Sequence, residues 1–450
     1  MKIPLAPPAL DVLMKKLLNT KVQSKSITNK LLSYAALTPK YKAYIHWDKL
    51  RHLTPPEGWS IEEVWLAIKF GRSHLYRSLP FIDKHKRPFH FAMPDSVLAQ
   101  LYTIDRHFGH TIQNTAAMLN NDWRDTYLVS SLIEEAITSS QLEGASTTRK
   151  IAKEMLQTHR KPCDISEQMI ANNYKAMQFI RETKDEVLTV EMILELHHVL
   201  TDKTLPETEC GRFRTSKDDI HIWDDRDATV LHTPPEAKTL AMRLKRICDF
   251  ANTQDEKHFI HPIIKAIILH FMLAYDHPFT DGNGRTARAL FYWCLLRNGY
   301  WLSEFISISS IIKQAPSQYA KAFLYTETDD NDITYFILHQ LGVIVKAFDG
   351  FKAYLEKQVC EVKQAEALLH SGNELYRNLN HRQVVLIKNA LKHPSQHCTI
   401  QAHRSAHNIT YETARSDLLA LDQLGLFRKD KWGRAFVFSA VPDLKEKLQA

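Results

Sequence analysis

The stretch HPIIKAIILHFMLAYDHPFTDGNGRTARALFYWCLLRN, His261 to Asn298, limits the fold of this chain more than any other. From Ile263 to Ala274 it is apolar nearly all round, and a helix without a polar face belongs inside a body of other elements. It should stop at His277–Pro278, because the residue before a proline is pushed out of helical geometry. FTDGNG then reads as a loop, and Arg285 to Asn298 as a second helix, apolar on most faces. The chain has enough material to surround this pair. Its 450 residues are 44% hydrophobic and 24% charged, with 13 glycines, which is ordinary globular composition. Most periodic stretches have helical spacing, so the expected fold is mainly α. A soft prior of about 150 residues per domain suggests two to four domains.

The loop carries the chemistry. A helix start presents free backbone N–H groups and a positive dipole end. Gly282 and Gly284 let a backbone approach a ligand closely, and Asn283 adds an amide donor. Arg285 and Arg288 are three residues apart, hence neighbours on one face. Two guanidinium forks beside an amide nest form a cradle for polyphosphate. Asp281 is a hard oxygen ligand suited to Mg²⁺ bridging phosphates. His277 lies at the other lip and can take a proton near neutral pH. Phe279 reads as an apolar plug. No strand precedes the glycines, which argues against a Rossmann fingerprint or a Walker loop. These parts describe phosphoryl or nucleotidyl transfer.

HPFTDGNGRTAR resembles the Fic family motif, H-P-F-x-D/E-G-N-G-R-x-x-R, at every fixed position. The similarity extends over about residues 190 to 310. It implies a Fic-fold helical core and transfer of AMP from ATP to a Ser, Thr or Tyr hydroxyl of a target protein. By that resemblance His277 is the general base and Asp281 holds Mg²⁺. Gly282, Asn283 and Gly284 form the anion hole, Arg285 lies on the phosphates and Arg288 on the γ-phosphate. CGRFRTSKDDIHIWDDRDATVLHTPP alternates polar and apolar residues and reads as a β-hairpin or extended flap. The resemblance makes its stretch from Arg212 to Ile222 a target flap, with Arg212, Phe213, Arg214, Thr215, Ile220 and Ile222, pinning the target backbone by strand addition.

Upstream, Val129, Leu132, Ile133, Ala136 and Ile137 mark one buried helical face. Continued through Ser140, the spacing arrives at Glu143. An unpaired buried charge costs several kcal/mol, so either the helix surfaces there or a cation waits elsewhere. Fic members carry an inhibitory helix with S/T-x-x-x-E-G/N, and Ser139, Glu143 and Gly144 match it. The resemblance therefore pairs Glu143 with Arg288, in the place of the γ-phosphate. In some members of this type the same Glu also supports removal of AMP.

Along the rest of the chain, Ser60 and Glu63 form a capping box, and PFIDKHKRPFHFAMPDS turns extended before a helix near Pro94–Asp95. Residues 311 to about 375 are helical. The tail from about 378 gives a helix, a helix-turn-helix with its turn at Asn408, then two strands around Gly433, which is the order of a winged helix. The expected division is 1–125, N-terminal helical; 126–148, inhibitory helix; 149–312, catalytic core; 313–377, helical linker; 378–450, winged helix. The tail leaves two readings open. One is DNA contact through the helix from Thr410 and through Arg415, Arg428, Lys429, Lys431 and Arg434. The other is a protein-interaction or dimerisation module. The formal charge of +7 permits nucleic-acid contact without requiring it.

The six cysteines are scattered, with no C-x-x-C pair, as in a reducing compartment. With no signal-peptide pattern and no apolar span of about 20 residues, the expected location is cytoplasmic, with no membrane partner. The expected enzyme is an autoinhibited protein adenylyltransferase with ATP as substrate; self-AMPylation and a homodimer stay open. A rival reading is a DNA-binding regulator in which the fold only senses a nucleotide. Another is transfer of phosphate, UMP or phosphocholine. An intact base at His277 favours an enzyme, and the full match in the phosphate loop favours ATP and AMP.

Overall fold

The computed structural model describes residues 2–17, 44–106, 121–224, 226–253, 258–369, 379–392, 397–407, 409–432 and 435–448. The expected turn at Asn408, the wing tip at Gly433 with Arg434, and most of the first 40 residues lie outside them. The chain opens with α1 (Leu10–Leu17), α2 (Trp47–Leu50) and α3 (Ile61–Ser73). The capping box starts α3: Glu63 N–H donates to Ser60 Oγ at 3.2 Å and Ser60 N–H to Glu63 Oε2 at 2.6 Å. The extended stretch is an antiparallel hairpin, β1 (Tyr76–Ile82) and β2 (Pro88–Ala92), followed by α4 (Asp95–Arg106).

The central helices are α5 (Asn121–Leu142), α6 (Arg149–Thr158), α7 (Ile165–Glu182) and α8 (Val190–Thr201). A short antiparallel hairpin, β3 (Ile222–Asp224) and β4 (Thr229–His232), precedes α9 (Leu240–Asn252). Then come the apolar pair, α10 (Pro262–Asp276) and α11 (Asn283–Arg297). Pro262 opens α10, where a missing N–H costs nothing. His277 ends it with left-handed dihedrals, φ 45° and ψ 59°, which turn the chain sharply into the loop. Almost every α10 residue is buried, as a helix without a polar face requires.

The helical run after 311 is broken in two places, giving α12 (Ile308–Gln314), α13 (Pro316–Thr328) and α14 (Thr334–Leu369). Pro316 imposes the first break, because it cannot continue the helix before it. The tail holds α15 (His381–Lys392), β5 (Cys398–Thr399), α16 (Ile400–His407), α17 (Tyr411–Gln423), β6 (Phe427–Trp432), β7 (Ala435–Ala440) and α18 (Leu444–Lys447). Its three strands pair in the order β5-β7-β6, around a separate cluster of Leu386, Ala414, Leu418, Leu421 and Phe438.

Packing does not part at residue 125 or at 312. One cluster takes in Phe89 and Phe91 of the β1–β2 hairpin, Ile104 of α4, the α10–α11 pair, and Phe336, Leu341 and Phe348 of α14. The β1–β2 hairpin and α4 of the expected "N-terminal region", and α14 of the "linker", are thus walls of the same core, while Leu13, Trp47, Leu50 and Trp65 of α1–α3 form a cluster of their own. Those walls supply the neighbours that α10 and α11 need. Among the described residues no helix is long and apolar enough to cross a membrane.

Candidate active site

The loop from His277 to Gly282 is held from beneath by two segments, Gly211–Arg214 and α8. Arg214, buried under it, donates from Nε to His277 O at 2.7 Å and from its backbone N–H to Pro278 O at 2.8 Å. From α8, His197 stacks on Phe279 with ring centroids 3.7 Å apart. Gly211 N–H donates to His197 Nδ1 at 3.0 Å, so Nε2 carries the proton and donates to Asp281 O at 2.9 Å. Burial, against the pull of that carbonyl bond, lowers His197 to about 4, which keeps this tautomer at neutral pH. Within the loop, Phe279 N–H donates to Asn283 Oδ1 and Asn283 Nδ2 donates to Phe279 O, each at 2.9 Å.

Three expectations change here. The Asn283 side chain closes the loop instead of offering an amide to a ligand; what it leaves for an anion is its backbone N–H. Arg285 and Arg288 do not converge as two forks of one cradle. Arg285 is fully buried and turns toward α8, donating to Leu200 O and Asp281 Oδ2 at 3.1 Å each. Its Nε–H finds no partner. Arg214, expected on the target flap, is a strut under the loop, and Phe213 stacks toward Phe279. Of the flap residues, Thr215 is exposed and Arg212, Ile220 and Ile222 are half-buried. Asp218 Oδ2 accepts from Thr215 N–H and Oγ1 and shapes that turn.

Asp281 has half its side chain exposed, and Arg285 engages one of its oxygens. A hard cation can take the other. No group of three His, Cys, Asp or Glu side chains converges among the described residues. A cation here would therefore draw its remaining ligands from phosphate and water, as Mg²⁺ at a nucleotide does. The donor set fits that ion.

Arg288 points to α5. Its Nε donates to Ser139 Oγ at 2.9 Å, and its Nη2 to Ser139 O at 3.0 Å and to Glu143 Oε1 at 2.9 Å. The cation is 3% exposed and the carboxylate 25%. The Glu143 carboxylate lies over the start of α11. A Cβ on Gly284 would meet Glu143 Oε1 at 2.1 Å, so only glycine admits the carboxylate this close. Gly144 follows in the left-handed region, φ 95°, where α5 ends. Behind Arg288, near enough to interact with it electrostatically, the Tyr319 hydroxyl of α13 lies 2.8 Å from His270 Nε2.

His277 is half-buried. Burial, with a smaller contribution from nearby His232, lowers its imidazole to about 4, so it is neutral at pH 7. Nδ1 faces Ala274 O at 3.4 Å. A carbonyl only accepts, which places the proton on Nδ1 and leaves Nε2 as the basic lone pair. His232 ties β4 to the end of α10, through Tyr275 O and Glu327 Oε2 at 2.8 Å each.

Residues 187–295, from just before α8 to near the end of α11, match the Fic/DOC family. The chain carries a Fic domain. It is 33% identical over 129 residues to the protein adenylyltransferase Fic of Nematostella vectensis, covering 28% of each chain. It is 28% identical over 216 residues to the protein adenylyltransferase fic-1 of Caenorhabditis elegans, covering 47% of this chain and 40% of that one. The chain thus spans less than half the length of these curated relatives. Among solved structures, a Fic family protein from Desulfovibrio desulfuricans aligns over 78% of this chain and 98% of its own. Its TM-score is 0.50 at 16% identity, a likeness of fold.

Ser139, on α5, and Glu143, just past its end, lie outside the matched residues 187–295, and α5 packs against α11. Sequence reasoning missed His197, Tyr319 and the strut role of Arg214. His197 had a readable signal, since it falls between Leu196 and Leu200 on the buried face of α8. Tyr319 had none, because α13 meets Arg288 only through the tertiary fold.

Proposed function

We propose that this protein transfers AMP from ATP to a hydroxyl of a target protein, and that Glu143 restrains it by holding Arg288. The observation that carries the proposal is the 2.9 Å pair between Glu143 and Arg288 at the mouth of the Fic loop. The names of the curated relatives, protein adenylyltransferases, support the chemistry.

In this reading the target hydroxyl reaches His277 Nε2, which takes its proton as the oxygen attacks the α-phosphorus. The O–P bond forms, the bond to the β-phosphate oxygen breaks, and pyrophosphate leaves. The backbone N–H groups at the start of α11 face the phosphates. A divalent cation on Asp281 supplies charge neutralisation when bound. Arg288 can serve the γ-phosphate only after Glu143 moves, since its Nη2 is committed to Glu143 and Ser139. The exposed edge near Ile222 and Trp223 would lay the target segment beside β3.

The tail is proposed as a winged helix whose DNA contact is not part of this function. Arg415 leans on Glu412 at 3.5 Å and Arg428 on Asp430 at 3.0 Å, so two of its expected phosphate contacts already face carboxylates.

The test is protein labelling from α-labelled ATP with Mg²⁺. Glu143→Gly should label itself or added protein at least about tenfold more than wild type, the equivalent of about 1.4 kcal/mol. His277→Ala in that background should abolish the label. Equal labelling by Glu143→Gly and wild type under every condition would remove the restraint. Absence of any α-label would remove AMP transfer.

A further inference from the structure

We infer a second phosphate-binding site, for a nucleoside polyphosphate, in the groove between the tail and the inhibitory helix. The groove encloses about 720 Å³, within the about 300–1,000 Å³ range of small-molecule pockets. One side is the N-terminal half of α5 with α6 and α7; the other is α15 and α16 of the tail. Four cations line it: Lys153, Arg181, Lys388 and Arg404, with no Asp or Glu among its lining residues. Arg181 is held by Glu304 at 2.8 Å. The side chains of Lys153 and Arg404, from opposite walls, have neither hydrogen-bond nor salt-bridge partners among the described residues. Cations converging on one cleft raise the local concentration of anions.

Aromatic rings make the choice of ligand. Tyr127, Tyr174 and Tyr354 line the same groove; Tyr127 packs on Tyr354 at 4.6 Å and on Phe351 at 4.9 Å, so Tyr354, 39% exposed, is the ring that offers area to a base. Tyrosine faces accept a base by stacking, while lysine and arginine take phosphates. A base at one end and a phosphate chain at the other match a nucleotide better than a bare anion. A groove bounded by helices on both sides suits a compact ligand better than a duplex.

The site uses none of the Fic loop's residues. It does use Tyr127 to Leu132 of α5, the helix that presents Glu143 about three turns further on. It is complete only while the tail and α5 are docked together, so its ligand favours that arrangement.

Isothermal titration of the full chain tests it, with non-hydrolysable ATP and inorganic tripolyphosphate as probes. Both Lys153 and Arg404 are exposed, so Lys153→Glu/Arg404→Glu should fold normally. Two ATP equivalents should bind to wild type, and the double variant should lose one of them or weaken it more than about tenfold. Tyr354→Ala should reduce ATP at this site to the level of tripolyphosphate. Amide exchange should show ligand protection in residues 149–158 and 397–407 as well as in the Fic loop. Unchanged titrations in the double variant, or protection confined to residues 277–284, would overturn the site. Duplex DNA binding more tightly than ATP and lost in the same variant would overturn the nucleotide in favour of nucleic acid.

Discussion

His277 is basic enough to accept a proton only while it is neutral, and burial decides when that is. A free imidazole titrates near 6.5; this one is lowered to about 4. In Glu143→Gly, the acid limb of the labelling rate should therefore fall well below pH 6, toward 4 to 5. A limb at 6.5 would mean that the ring is solvated in the working enzyme. The same shift bears on stability. A group whose folded pKa is depressed leaves the fold at full stability above its unfolded value. Stability is then lost as pH falls from 6.5 toward 4, and His197, also lowered to about 4, acts over the same window. His197→Phe keeps the stack on Phe279 but strands Gly211 N–H and Asp281 O. Each stranded group costs about 1–3 kcal/mol. The variant should melt several degrees lower, and in the Glu143→Gly background should label more slowly and need more Mg²⁺. Unchanged Mg²⁺ dependence would show that His197 does not position the Asp281 backbone.

At the scale of elements, the inhibitory helix is set in register by a residue two turns before Glu143. Glu135 of α5 is 2% exposed. Its Oε2 accepts from Ser307 Oγ at 2.7 Å and from Ser309 N–H at 3.2 Å, and Oε1 accepts from Ser309 Oγ. An acceptor-only carboxylate takes all three donors at the start of α12; an amide keeps two and must turn the Ser309 hydroxyl into an acceptor for its NH₂, giving up the charge-assisted bonds. Glu135→Gln should therefore loosen α5 by about 1–3 kcal/mol and raise labelling above wild type. With Glu143→Gly already present it should raise it no further, and an equal rise in both backgrounds would exclude action through α5. The sequence is most legible where structure is local. The α10–loop–α11 unit is written in one continuous stretch, with its apolar faces, its proline stop and its glycines. Glu143 is legible as a break in pattern, but its meeting with Arg288 depends on how α5 docks, and only the family resemblance supplied it. The opposite courses of Arg285 and Arg288 were not legible. Helical spacing fixes where two side chains start, while the carbonyl of Leu200 and the carboxylate of Glu143 decide where they end.

The whole molecule is closed by a buried polar cluster that joins its beginning to α13 and α14. Lys69 Nζ lies 2.8 Å from Asp329 Oδ1, with relative exposures of 4% and 0%. Arg72 lies over the Tyr44 ring, 3.8 Å from its centroid, and donates to the Tyr335 hydroxyl at 2.7 Å. That hydroxyl in turn donates to Asp329 Oδ2 at 2.7 Å. Alongside, β2 is joined to the same turn by backbone bonds, Ile333 N–H to His90 O at 2.9 Å among them. Two cations with two carboxylates, Asp329 and Asp332, out of water are a weak net source of stability, but removing a directly bonded partner leaves a buried charge undercompensated. Asp329→Leu should thus cost about 3–5 kcal/mol in urea unfolding, since Lys69 and Arg72 would stay buried without it. Lys69→Met should also destabilise, leaving Asp329 with the Tyr335 hydroxyl and with Arg72 at 4.0 Å. The double variant should cost clearly less than the two single costs added, because the charges share one environment. Strict additivity would mean that Lys69 and Asp329 act independently, and that the apolar contacts of β1, β2 and α14 alone hold the N-terminal part against the Fic domain.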